Sequence, residues 1–350
     1  MSLNLFEFVN MLKVTPSLLI VTLLTLGVIL VNGWTDAPNA IATCIATDCM
    51  KPRAAILMAA VFNFLGIVVM TSINASVAMT IYHMVDFGGN AHDALIALCA
   101  ALFAIILWAT AAWAFGIPTS ESHALIAGLS GAAIAVHGSL TGINGMEWLK
   151  VIFGLIFSLL AGFCFGFITV QLTAGLNDRI RPDRSDRFFQ GAQIGGAAAM
   201  AFMHGAQDGQ KFMGVFLLGI YLANGQSNAS GFVIPFWLMV LCSLVMALGT
   251  SIGGMKIIRT VGMEMVQLKR HQGFAADLAG AVCLLAASLT GIPVSTTHTK
   301  TTAIMGVGMA GNADSLNLTI VKEMFLAWFL TFPGCGLIGF LMGRLFLNLL

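Results

Sequence analysis

Charge is what this sequence has least of. Lys and Arg number 16 and Asp and Glu 15, or 9% of 350 residues, against 58% hydrophobic residues and a mean hydropathy of +0.93. A water-soluble domain carries about 25% charged residues, so a soluble globular fold is excluded and lipid must be the solvent for most of the surface. The net charge of +1 leaves no basic or acidic bias toward nucleic acid. Cys-x-x-Cys pairs are missing too. The seven cysteines (Cys44, Cys49, Cys99, Cys164, Cys242, Cys283 and Cys335) sit nearly all in apolar runs and read as packing residues. The 20 methionines are scattered and read the same way. A removable leader is not indicated either. The first sixteen residues carry Glu7 and Lys13 and no small-residue cleavage site, so the run 16–31 reads as a membrane helix.

What is there is a series of apolar runs long enough to span a bilayer, for which about 20 residues are needed. They cover 16–31, 54–81, 93–116, 118–137, 147–173, 188–222, 231–252, 274–290, 292–310 and 320–347. Most basic residues fall between them in three places: Lys51 and Arg53; Arg179, Arg181, Arg184 and Arg187; and Lys256, Arg259, Lys269 and Arg270. The stretches near 82–92 and 223–231 hold none. The positive-inside rule puts the three basic loops in the cytoplasm and the other two outside, with both termini outside. Counting crossings between these loops gives the first half an odd number, whether 118–137 itself crosses or an extra crossing hides in 93–137.

The two halves also share motifs. Gly116-Ile117-Pro118-Thr119-Ser120-Glu121-Ser122-His123 aligns with Gly291-Ile292-Pro293-Val294-Ser295-Thr296-Thr297-His298, 175 residues on. Asn32 to Asn39 aligns with His204 to Lys211, 172 residues on. A repeat with an odd crossing number is an inverted-topology repeat, the common plan of secondary transporters. The expected fold is therefore an all-α polytopic membrane protein of two inverted repeats, with broken helices and paired hairpin motifs. The expected units are a first repeat at 1–175, a basic cytoplasmic linker at 176–187 and a second repeat at 188–350.

The first motif places Asp36, Asn39 and Thr43 at helical spacing on one face, with Gly33 and Pro38 interrupting the backbone ladder. A carboxylate, an amide oxygen, a hydroxyl and freed carbonyls make a hard oxygen set suited to a small cation such as Na⁺. The plainer reading, a helix cap, is disfavoured because an intramembrane carboxylate is costly and usually functional. The copy keeps Asp208. His204 and Asp208 stand four apart, a spacing that would suit a metal, but no third ligand follows. At the second motif, Gly-Ile-Pro stops one helix and opens the next. Ser120, Ser122, Ser295, Thr296 and Thr297 cluster there, where free N–H groups and the helix dipole favour an anion. Ordinary N-caps also use Ser and Thr, but one hydroxyl suffices for a cap and here a run is duplicated. Two such cradles facing each other would surround one tetrahedral oxyanion without fixed positive charge.

These four motifs, in this order from residue 32 to 298, resemble those of the inorganic phosphate transporter (Pit-type permease) family. The resemblance rests on Gly33-Trp34-Thr35-Asp36-Ala37-Pro38-Asn39-Ala40, His204-Gly205-Ala206-Gln207-Asp208, Pro118 to His123 and Pro293 to His298. It implies phosphate uptake coupled to Na⁺ or H⁺. It implies cation contacts at Thr35, Asp36, Asn39, Gln207 and Asp208, and anion contacts at Ser120, Ser122, Ser295, Thr296 and Thr297. It implies no cofactor beyond the coupling ion, no enzymatic activity and, since family members are often dimers, a homodimer. Short loops favour a prokaryotic inner membrane. The chain departs from the family pattern where Thr35 and Gln207 replace Asn, where Lys211 replaces the second-signature Asn, and where Glu121 replaces a Ser or Thr. Lys211 is three residues from Asp208, within ion-pair reach, and would replace a bound Na⁺ or hold the anion. Glu121 would carry a coupling proton or pair with Lys211. A sulfate permease of the same fold is the near alternative, and a membrane-embedded hydrolase using His204/Asp208 or Ser120/His123 the distant one.

Overall fold

The computed structural model describes residues 4–88, 90–225, 233–311 and 316–349. Every regular element among them is a helix, and one isolated bridge joins Val85 to Ile143. In order these are α1 (Leu5–Val14), α2 (Pro16–Thr35), a 3-10 turn (Ala37–Ile41), α3 (Ala42–Ala46), α4 (Pro52–Ile73), α5 (Ser76–Tyr82), α6 (Ala91–Ala114), α7 (Glu121–His137) and α8 (Gly145–Arg179). The second half holds α9 (Pro182–His204), a π-helical turn (Gly205–Gly209), α10 (Gln210–Ala223), α11 (Phe236–Gly253), α12 (Met255–Ile258), a π-turn (Arg259–Glu264), α13 (Arg270–Thr290), α14 (Thr296–Gly311) and α15 (Leu318–Leu349).

Six described helices are long and apolar enough to cross a membrane, and the bent pair α11/α12 makes a seventh. The other runs read as spans from the sequence, 118–137, 188–222 and 292–310, carry the polar motifs, and the helices α7 and α14 within two of them are only 17 and 16 residues long. Leu23, Leu57, Leu160 and Phe329 are all at least 60% exposed, as side chains facing lipid are. The expected linker 176–187 is almost wholly helical: α8 runs through Arg179 and α9 starts at Pro182. The basic-free stretch 223–231 lies mostly outside the described residues, as does the start of the run 231–252. The sequence reading also passed over α1, whose capping box pairs Asn4 with Glu7 and whose Phe8 stacks on Trp237 at 4.9 Å.

The packing partners repeat between halves. α7 packs most on α15, and α14 on α8. α6 packs on α7 and α15, while α13 packs on α14 and α8; α2 meets α11 as α9 meets α4. Each hairpin helix thus leans on the closing helix of the other half. Gly116 and Gly291 end α6 and α13 with positive φ, +72° and +70°, a conformation that glycine adopts without a Cβ penalty. After each, the chain runs extended into the protein until Ser120 or Ser295, then turns helical.

The ends sort by charge. Arg270 pairs with Asp186 at 2.6 Å and reaches the Thr47 carbonyl, and Gln190 donates to the Cys49 carbonyl, so the three basic stretches meet at one end. At the other end the Asp86 N–H donates to the Gly142 carbonyl, and His137 Nε2 lies 2.8 Å from the Asp86 carbonyl oxygen. Gly116 lies against Thr260 near the basic end, and His137 at the opposite one. Gly291 lies beside Ser76 and Thr80, and Gly311 beside Gln272 of the basic end. Segments 118–137 and 292–310, with their extended lead-ins, therefore each run the length of the bundle.

Candidate functional site

The two polar turns interrupt their helices differently. Pro38 lacks an amide hydrogen, and the chain around it tightens into the 3-10 turn Ala37–Ile41. In the second half the ladder widens into the π-turn Gly205–Gly209, a form concentrated at functional sites. Both interruptions and both hairpin tips meet in the buried middle of the bundle. Asp36, Glu121, Asp208 and Lys211 are each 2% exposed or less.

Asp208 is the hub. Its Oδ2 accepts from Asn32 Nδ2 at 3.2 Å and Thr296 Oγ1 at 3.1 Å. Its Oδ1 accepts from Lys211 Nζ at 2.7 Å and Ser122 Oγ at 3.4 Å. His204 Nε2 stands 3.3 Å from Oδ2, and its other ring nitrogen is 3.1 Å from Asn63 Oδ1. Lys211 also donates to Ser122 Oγ at 2.7 Å and to the Val294 carbonyl at 2.6 Å. Asp36 is served more sparely: the Glu121 backbone N–H donates to its Oδ2 at 3.3 Å. Asn39 Nδ2 donates to Thr297 Oγ1 at 3.1 Å, and Thr35 Oγ1 lies 3.4 Å from Glu121 Oε2. Around Asp36 the buried oxygens Asn32 Oδ1, Asn39 Oδ1 and Glu121 Oε1 have no hydrogen-bond partner. A buried oxygen without a partner costs about 1–3 kcal/mol, so a cation or proton placed here recovers free energy.

The contacts obey the sequence alignment. Asn39–Thr297 corresponds to Lys211–Ser122, and Asp36–Glu121 to Asp208–Thr296.

A profile described as the phosphate transporter family matches residues 32–339. The chain belongs to the phosphate transporter family. It is 37% identical to a Bacillus subtilis protein named "Probable low-affinity inorganic phosphate transporter", over 88% of this chain and 91% of that one. It is 36% identical to a Rhizobium meliloti protein of the same name, over 88% of this chain and 90% of that one. Among solved structures, one described as "The sodium-dependent phosphate transporter" superposes with a TM-score of 0.85 at 22% identity, over 96% of this chain and all of that one. That likeness shows a shared fold.

Within this family member, the residues singled out from sequence divide by their geometry. Thr35, Asp36, Asn39, Asp208, Glu121, Lys211, Ser122, Thr296 and Thr297 converge on the middle. Ser120 and Ser295 sit at the two tips as N-caps, their hydroxyl oxygens accepting from the His123 and His298 backbone N–H. Gln207 Nε2 donates to Ser288 Oγ at 3.0 Å and toward the Ile292 carbonyl, bracing the lead-in to the second tip, and its buried Oε1 has no partner. Thr43 leaves the face expected of it, because a 3-10 turn advances about 120° per residue. It donates instead to Asp277 at 2.6 Å. In the pairs considered for a hydrolase, the His123 ring packs against His298 and Phe332, and His204 stands 3.1 Å from Asn63 and 3.3 Å from Asp208.

Sequence reasoning missed Asn32 and Asn63 as site groups, and missed Asp277 and Lys300 altogether. Lys300 pairs with Asp277 and donates to Thr43, all fully buried. The signal was available: a Lys and an Asp inside apolar spans are functional candidates by default.

Proposed function

We propose that this chain is a secondary active transporter that carries inorganic phosphate together with a monovalent cation, by alternating access to the site between the two hairpin tips. The convergence of both carboxylate motifs and both hydroxyl-bearing tips on one buried cluster supports this reading best. In this arrangement the tip hydroxyls of Ser122, Thr296 and Thr297 are spent on Asp208, Lys211 and Asn39. Phosphate entering between α7 and α14 would draw these hydroxyls away from the side chains they now serve and add the N–H groups of Ser122, Thr296 and Thr297 at the two helix starts. A cation at Asp36, where Asn32, Asn39 and Glu121 offer oxygens, neutralises the carboxylates that would otherwise repel the anion. Anion and cation therefore bind better together, which is the coupling a symporter needs.

The exchange of packing partners supports reading the halves as inverted repeats, with their motifs meeting at mid-depth. The basic end then faces the cytoplasm of a prokaryotic inner membrane, with both termini outside.

Na⁺ suits the oxygens around Asp36. One contact favours a proton as a second reading: Thr35 Oγ1 has one hydrogen for two acceptors, the Val31 carbonyl at 2.9 Å and Glu121 Oε2 at 3.4 Å, and with that hydrogen on the nearer carbonyl a protonated Glu121 would donate to Thr35 Oγ1. Phosphate is preferred to sulfate because an acceptor such as Glu121 suits an anion that keeps protons near neutral pH. Labelled phosphate uptake into proteoliposomes under imposed Na⁺ or H⁺ gradients, with sulfate as competitor, tests these points. Uptake that follows one gradient and resists sulfate is expected; equal uptake with both gradients collapsed makes the protein a passive channel. Glu121→Gln separates the cations: it abolishes proton-driven uptake and leaves Na⁺-driven uptake running.

A further inference from the structure

The two halves make equivalent pairings around their carboxylates, and an ammonium stands on one side where an amide stands on the other. Residues 175 apart at the tips, and 172 apart at the carboxylate motifs, make the same pairings on the two sides. On the second side the position is filled from within. Lys211 Nζ has three oxygen neighbours, Asp208 Oδ1 at 2.7 Å, Ser122 Oγ at 2.7 Å and the Val294 carbonyl at 2.6 Å. A carboxylate, a hydroxyl and a carbonyl are the ligands a small monovalent cation takes, and the three hydrogens of an ammonium match three acceptors. Lys211 is fully buried. The first side carries Asn39 in place of Lys211, and there Asn39 Oδ1 has no partner.

We infer that the Lys211 ammonium is a tethered cation that permanently occupies one of two pseudo-equivalent cation sites, so that each phosphate moves with one mobile cation fewer than the duplicated fold would allow. This rests on the symport reading and deepens it by assigning the stoichiometry to one residue. A fixed charge neutralises Asp208 in every conformation, which makes Asp208 a constant of the cycle. Asp36 is then the carboxylate whose neutralisation changes with loading.

The competing role for Lys211 is a direct phosphate contact. Its three donors are all used on protein oxygens, and its hydroxyl partner Ser122 is the equivalent of Thr297, which serves Asn39 on the other side. The geometry matches a cation in a cage more closely than a free hand extended to an anion.

The experiment is Lys211→Asn, with Lys211→Gln as a second oxygen-bearing variant should the first misfold. Two quantities are read: the charge moved per phosphate, from reversal potentials in proteoliposomes, and the ²²Na⁺ bound per chain in purified protein. Lys211→Asn is expected to add one charge per phosphate whether the added cation is Na⁺ or H⁺. At an imposed tenfold gradient of the coupling cation, one extra ion raises equilibrium phosphate accumulation about tenfold. Under Na⁺ coupling the Hill slope for Na⁺ rises by about one and one more ²²Na⁺ binds. A folded variant with unchanged charge ratio and unchanged bound Na⁺ overturns the inference. So does a variant whose phosphate KM rises while the charge ratio stays put, because that is the signature of a direct anion contact. Failure of the symport reading shows separately, as wild-type uptake indifferent to both gradients. The binding measurement still reads Lys211 in that case.

Discussion

Asp208 holds five polar neighbours drawn from both halves, and the cost of disturbing it depends on which charge is left behind. Asp208→Asn leaves the Lys211 ammonium buried without its anion. Breaking a buried pair in this way costs about 3–5 kcal/mol, so the variant is expected to melt well below wild type in detergent and to lose phosphate uptake. Asp208→Asn combined with Lys211→Asn removes both charges and recovers most of the melting temperature while uptake stays lost. A double variant as unstable as the single one would show that Asp208 matters through its neutral contacts with Asn32 and Thr296 instead. The Asp277–Lys300 pair obeys the same rule. Asp277→Asn strands Lys300, whereas Asp277→Leu with Lys300→Met exchanges the pair for apolar side chains of similar size and is expected to fold, as thermal melts of the two proteins will show. The sequence carried both pairs, but its local spacing showed the partnership of only one. Asp208 and Lys211 are three residues apart and so declared themselves. Asp277 and Lys300 are brought together only by the packing of α13 on α14, which no local spacing reveals.

Helix contacts explain why the motifs of separate halves meet with such economy. Gly131 of α7 and Gly306 of α14 are equivalent positions, and each lets two backbones touch. A Cβ on Gly131 would fall on the Gly336 carbonyl of α15, and one on Gly306 on the Phe163 carbonyl of α8. Gly131→Ala and Gly306→Ala must each push a hairpin helix off its support. Overpacking of this kind costs about 1–3 kcal/mol, and the tilt carries to the tip hydroxyls. Each variant is expected to lower both the melting temperature and the phosphate affinity, whereas Gly145→Ala, at a position with open space around it, changes neither. The broken elements were legible from residue types alone: Pro38 announced the first interruption, and Gly-Ile-Pro both tips. Their form was not legible. The second signature has no proline, and a widened π-turn arises from tertiary fit around Asn63 and Asp208, not from any residue that forbids the α-helix. The short helix α1 escaped for another reason. Its ten residues fall below spanning length, and its exposed Phe6 and Val14 suit a helix lying at the interface.

On the scale of the whole molecule, the charge pattern and the site make one joint demand on orientation. The basic end holds a cavity of about 650 Å3 lined by Thr47, Ser185, Lys269, Arg270 and His271 among others. Thr47 donates to the backbone carbonyl of Thr43 and to Gln193, and the Thr43 hydroxyl reaches Asp277 and contacts Lys300. A polar line thus leads from that cavity to the buried Asp277–Lys300 pair. If the basic end faces the cytoplasm, this cavity opens on the cytoplasmic side, and the contact of His137 with the Asp86 carbonyl lies on the outer side. Cysteine labelling in intact cells decides the orientation. Ser139 and Arg184 are exposed at opposite ends. Of the seven native cysteines only Cys164 is exposed, so Cys164→Ser provides a quiet background. Ser139→Cys is expected to react with a membrane-impermeant maleimide in intact cells, and Arg184→Cys only after permeabilisation. The reverse pattern would invert the molecule and put the 650 Å3 cavity on the outer side. Thr47→Cys then follows the transport cycle itself. Its labelling from the basic side should change when phosphate and the coupling cation are added together and stay level with either alone, because only the joint load neutralises the site between the tips.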